Sequence, residues 1–216
     1  MKRKKCSFVG EKPIFTGSPQ IVPGGFNLDR EKQRFSVGDI IPMGTPAIFS
    51  EQTRKVQIVK TAKVKAIDTE DAKIITLVSN AYCQPCFAVG DKLLKADTVS
   101  GTFADAPSIV SIEKPGVADA AYVITLSKEI TGLADDNILV EVVASSDGNA
   151  AVIGQPNCLT IEEVTVREFE TPIDVTEDTM QYAVMERRIL PIPDGMKDST
   201  KRYLKANPHI RLSQTY

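Results

Sequence analysis

Short runs of β-branched and other apolar residues recur about every 10–20 positions, each closed by Gly, Pro, Asn or Asp. A chain punctuated this way cannot build long helices. It folds as strands joined by turns, which predicts a mainly β protein with an antiparallel sandwich or barrel body. The clearest run is 56–67, where Val56, Ile58, Ala62, Val64 and Ala66 share a face. Lys60, Thr61, Lys63 and Lys65 fall on the other face or at a register shift. Further strands are expected at 73–78, 87–94, 109–112, 121–126, 138–143 and 159–166. The run 40–49 contains Pro42 and Pro46 and should be an edge strand or be broken by a turn.

The two ends read differently. Residues 1–34 have no periodicity and contain Pro13, Pro19, Pro23, Gly17, Gly24 and Gly25. They are expected to form an extended N-terminal arm, with Phe8, Val9, Ile14, Phe15, Ile21, Val22, Phe26 and Leu28 as apolar pegs against a partner. The β-rich body covers 35–170, divisible at 98 into 35–98 and 99–170. Residues 171–216 form a C-terminal segment with short helices. One is expected at 177–188, capped by Asp174 or Thr176, with acids in its first turn and Arg187 and Arg188 in its last. A second is expected at 198–206, ended by Asn207-Pro208.

A formal net charge of −2 hides a strong division. Residues 1–34 carry +5, residues 195–216 carry +4, and the stretch between carries −11. An acidic body with two basic ends suits docking of those ends on an acidic surface. Met1 to Lys5 resembles the charged start of a signal peptide, but Glu11 and Lys12 interrupt any apolar run behind it. A cytosolic site of synthesis with reduced thiols is therefore expected. The longest apolar runs are about six residues, against roughly 20 for a membrane helix, so no membrane partner is expected.

Candidate chemistries are few. Cys83-Gln-Pro-Cys86 has redox spacing, but the residues after it read as strand and turn rather than the helix N-terminus that activates such a thiol. A zinc site would have to recruit Cys6, Cys158 or His209 at irregular spacing. The acidic pairs Glu70-Asp71, Asp135-Asp136, Glu162-Glu163 and Glu177-Asp178 fit turns and solvated faces. No Gly-rich phosphate loop or nucleophile elbow occurs. The cations around Tyr203 and at Lys2 to Lys5 lack interleaved aromatics, so direct nucleic-acid binding is not expected. The sequence thus assigns no catalytic, cofactor-binding or metal-binding residue and predicts no cofactor and no enzyme. A CxxC redox enzyme is the chemical alternative.

The stretch from Phe35-Ser-Val-Gly-Asp39 through Met43-Gly-Thr-Pro46 to Phe49, then Ala88-Val-Gly-Asp91 to Leu94, and finally Ser108 through Tyr122 to Val140, resembles tailed-bacteriophage head decoration and head-fibre (auxiliary capsid) proteins. Asp135-Asp136-Asn137 stands where those proteins usually carry Gly-Asp. The composition is similar to that of phages of Bacteroides-type hosts, crAss-like ones included. The resemblance implies a virion structural protein on the outside of an icosahedral head, assembled in the host cytoplasm. It would stabilise capsomers or anchor a head fibre. Its partners would be the major capsid protein, further copies of itself (a trimer favoured) and other head-fibre proteins. Another phage structural β-protein, from a tail, a connector or the surface, is the alternative.

Overall fold

A computed structural model describes residues 13–80, 82–114, 121–176 and 183–214. The chain is mainly β with almost no helix. The first strands are β1 (Phe26–Leu28), β2 (Ile40–Ile41), β3 (Pro46–Ser50), β4 (Lys55–Ile58), β5 (Thr61–Ile67) and β6 (Ile74–Leu77). The middle contributes β7 (Lys92–Lys95), β8 (Ile109–Glu113), β9 (Tyr122–Leu126), β10 (Ile138–Ala144) and β11 (Ala150–Val152). The end adds β12 (Cys158–Leu159), β13 (Val164–Thr165), β14 (Pro172–Ile173), β15 (Ala183–Met185) and β16 (Arg211–Ser213).

One five-stranded sheet runs β12-β3-β4-β1-β14. A seven-stranded sheet, curved as a half-barrel, runs β11-β10-β5-β6-β9-β8, with β7 on the other side of β10. Two ribbons, β13-β2 and β15-β16, complete the described pairings. All pairs are antiparallel except β1 with β4 and β15 with β16. Alternation drives the half-barrel: in β9, Tyr122, Ile124 and Leu126 are buried while Val123 and Thr125 are half-exposed. Side chains of period two can bury one face and leave the other to water. Pro42 ends β2 and Pro46 opens β3, so the apolar run 40–49 is broken by a turn, as its prolines require.

Three apolar clusters fill the interior. One lies on the five-stranded sheet around Phe26, Ile41, Val56, Ile58 and Ile173. One fills the half-barrel around Val64, Ile75, Phe87, Leu93, Tyr122 and Leu139. The third joins Val59, Val140 and Leu159 to Val184, Ile189, Leu204 and Leu212 from the C-terminal segment.

Four expectations are corrected here. Residues 13–34 are not a free arm: Ile14, Phe15, Val22, Phe26 and Leu28 are buried in the body's own clusters, and β1 is a strand of its sheet. Ile21 is half exposed, and residues 1–12 lie outside the described residues. The expected helix at 198–206 is a set of turns stapled by the bridges Lys197–Leu204 and Tyr203–Arg211. Asp198 there accepts from the N–H groups of Thr200, Arg202 and Tyr203, so it caps a turn. The first half of the expected helix 177–188 falls outside the described residues; Ala183–Met185 is strand and Glu186–Arg188 a single 3-10 turn. The halves 35–98 and 99–170 interleave, since β10 pairs with β5 and β7 and β12 pairs with β3. Among the described residues no helix is long and apolar enough to cross a membrane.

Candidate functional site

Between β4 and β5 the chain passes from one apolar cluster to the next: Ile58, Val59 and Ala62 each belong to a different one. Lys60, inside that passage, is fully buried. A buried ammonium persists only when paired and hydrogen-bonded. Its Nζ lies 2.6 Å from Asp91 Oδ2 and 3.6 Å from Glu141 Oε1. It donates to the Arg34 carbonyl at 2.6 Å and sits 4.2 Å from the centre of the Phe35 ring. Gln33 locks the second acid, donating from Nε2 to Glu141 Oε2 at 2.8 Å and to the Ile58 carbonyl at 2.6 Å.

Asp91 is held by a turn whose sequence occurs twice. Phe35-Ser-Val-Gly-Asp39 and Phe87-Ala-Val-Gly-Asp91 each bury the Phe and the Asp and expose the Val. In both, the Gly has positive φ (91° and 89°), and the Asp carboxylate accepts from the N–H three residues back. Each turn then clamps a neighbouring residue between the Gly N–H and the Asp carbonyl, Val166 in the first and Ile109 in the second. Asp136-Asn137 makes the same clamp on Val64, with Asp136 at φ 67° and Asn137 Oδ1 accepting from Ala134 N–H. Asp136-Asn137 therefore has the clamp geometry of this chain's two Gly-Asp turns. Asp39 also takes a lysine, Lys114, at 2.5 Å.

Burial pushes the Glu141 carboxyl up to about 7, with Lys60 pulling against the rise and Asp91 adding to it. A carboxyl raised above its unfolded value binds its proton more tightly when folded. Its contribution is complete below pH 4.5 and is lost as pH rises through 7. Glu141→Gln is expected to flatten the fall in stability across that window, read as urea midpoints against pH; an unchanged slope would refute it.

Above this cluster lies a cleft of about 380 Å³. Arg30, Lys32, Arg34 and Lys92 line it with the carboxylates of Glu31, Asp91 and Glu141, and Phe103 and Val142 contribute apolar wall. Lys92 is fixed by the carbonyls of Phe103 and Ala104, at 2.6 and 2.8 Å. Beside the cleft, the loop between β13 and β14 presents Phe169, which is 82% exposed. That loop is braced. Arg30 Nη1 donates to the carbonyls of Arg167 (2.9 Å) and Glu168 (2.7 Å), and Arg167 N–H donates to Thr171 Oγ1 at 3.0 Å.

The residues singled out from sequence are scattered. Cys83 and Cys86 are buried thiols, pushed by burial to about 11 and about 12, the opposite of what an attacking thiolate needs. Burial likewise raises Cys158, which lies apart in β12. His209 is exposed, and its backbone N–H donates to Asn207 Oδ1. Among the described residues no group of His, Cys, Asp and Glu is arranged to hold a metal. Asp135-Asp136 sits in the third clamp turn, with Asp136 paired to Lys63 at 2.7 Å. Glu162 and Glu163 are exposed, Glu70-Asp71 lies in a turn, and Glu177-Asp178 lies outside the described residues. Sequence reasoning missed Lys60, Glu141 and Gln33. The signal available was a lysine inside Val56-Gln-Ile-Val-Lys60-Thr-Ala62, between two apolar stretches. No protein-family model, no curated protein and no solved structure matches this chain.

Proposed function

We propose that the chain is a virion structural protein bound to the outside of an icosahedral phage head, where it stabilises capsomers or anchors a head fibre. The observation that carries this reading is the charge division, −11 over 35–194 against +5 over 1–34 and +4 over 195–216. It is supported by the sequence resemblance over about 35–166 and by a body built from clamped turns and short strands. The basic C-terminal end presents Arg202, Lys205 and Arg211 to solvent. The body reads as an antiparallel barrel: β7 pairs with β10 and also reaches the start of β8 through the Lys92–Ser108 bridge. Such a protein acts as a homo-oligomer, because many weak contacts add through effective concentration.

The attachment arm narrows to residues 1–12, because every peg beyond them except Ile21 belongs to the core. Deleting 1–12 is expected to leave a folded protein that no longer co-sediments with purified heads at moderate salt. Full binding by that truncation sinks the arm; binding that does not weaken with salt sinks its electrostatic basis.

A further inference from the structure

We infer that Phe169 and the cationic cleft are the two halves of a self-complementary patch, through which two copies of this chain pair about a two-fold axis. The inference stands apart from the virion reading. Phe169 is the most exposed large apolar side chain described, and its loop is braced at three backbone positions. A rigidly presented aromatic loses little freedom on docking, which is what an interface anchor requires. Glu168 and Glu170 flank it, both exposed.

The complement to an aromatic between two carboxylates is an apolar socket with a cationic rim. The cleft has an apolar wall in Phe103 and Val142, and Lys32 and Arg34, both exposed, outnumber the exposed Glu31; its other carboxylates, Asp91 and Glu141, are buried against Lys60. Arg34 also packs over Gly90: a Cβ there would stand 2.3 Å from its Nη1, so the turn leaves room for the guanidinium. Knob and cleft are neighbours because Arg30 lines the cleft and braces the knob at once. A patch that carries both halves side by side can meet its own copy reciprocally. An isologous contact needs that arrangement, and it closes at two subunits.

The test uses the full chain in light scattering after size exclusion, with sedimentation equilibrium for affinity. Wild type is expected to dimerise at micromolar concentration, and Phe169→Ala to weaken the dimer roughly 30-fold, the scale of a buried aromatic anchor. Glu168→Lys with Glu170→Lys, and separately Lys32→Glu with Arg34→Glu, are each expected to be monomeric. Mixed together, the two charge-reversed proteins are expected to dimerise, since both contacts of the mixed pair are then complementary. A misfolding effect could not produce that rescue. A monomeric wild type overturns the proposal, as does a dimer indifferent to Phe169→Ala or a mixture that stays monomeric. A dimer lost on removing residues 1–12 but kept in Phe169→Ala assigns pairing to the basic arm and overturns it too.

Discussion

Lys60→Met is expected to destabilise the protein by about 3–5 kcal/mol at neutral pH, the scale for removing one partner of a buried ion pair. Met matches the length of the lysine stem, so little cavity results and the loss is electrostatic. Asp91 is 3% exposed, and its Oδ1 already lacks a hydrogen-bond partner; without Lys60, Oδ2 keeps only the Ala88 N–H. Glu141 keeps Gln33 but loses its cation. Such a penalty is a large share of the roughly 5–15 kcal/mol that holds a domain together. The triple variant Lys60→Met/Asp91→Asn/Glu141→Gln is expected to recover most of the loss, because it buries no uncompensated charge. Urea unfolding at pH 7.5 checks both. If Lys60→Met unfolds like wild type, the buried pair holds nothing. If the triple is as weak as the single, the cause lies in packing.

That pair also marks where sequence reading stopped. Strand content and turn breaks are legible because period and turn chemistry are local. The Gly-Asp turns were visible as texture, and each fixes its own backbone through one carboxylate. Where the turns point is not local. Lys60 looks like a solvent-facing lysine of an alternating strand until the strand breaks at Val59 and folds it inward. Gln33, Lys60, Asp91 and Glu141 come from four separate stretches, and no spacing rule joins them. The burial of residues 13–34 escapes the sequence for a related reason. Pro and Gly exclude regular structure, but they do not exclude burial, and Ile14 and Phe15 reach the core without a strand of their own.

Deleting residues 1–34 is therefore expected to abolish folding, in contrast to deleting 1–12. The longer deletion removes Ile14, Phe15, Val22, Phe26 and Leu28, all at most 5% exposed. At about 2 kcal/mol for each buried apolar side chain, roughly 10 kcal/mol is lost, comparable to the whole stability of an ordinary domain. It also strips β1 from between β4 and β14, which leaves the edge strand β14 without its partner. Gln33 goes with it, and with it the donor to Glu141 and the paired bonds to Ile58. Circular dichroism and urea melts of both truncations are the check. If the arm reading holds, the shorter one keeps a cooperative transition; the longer one is expected to show none. A cooperative melt from the longer truncation would return residues 13–34 to the status of an arm. It would also make particle binding testable on the body alone, which the buried pegs otherwise forbid.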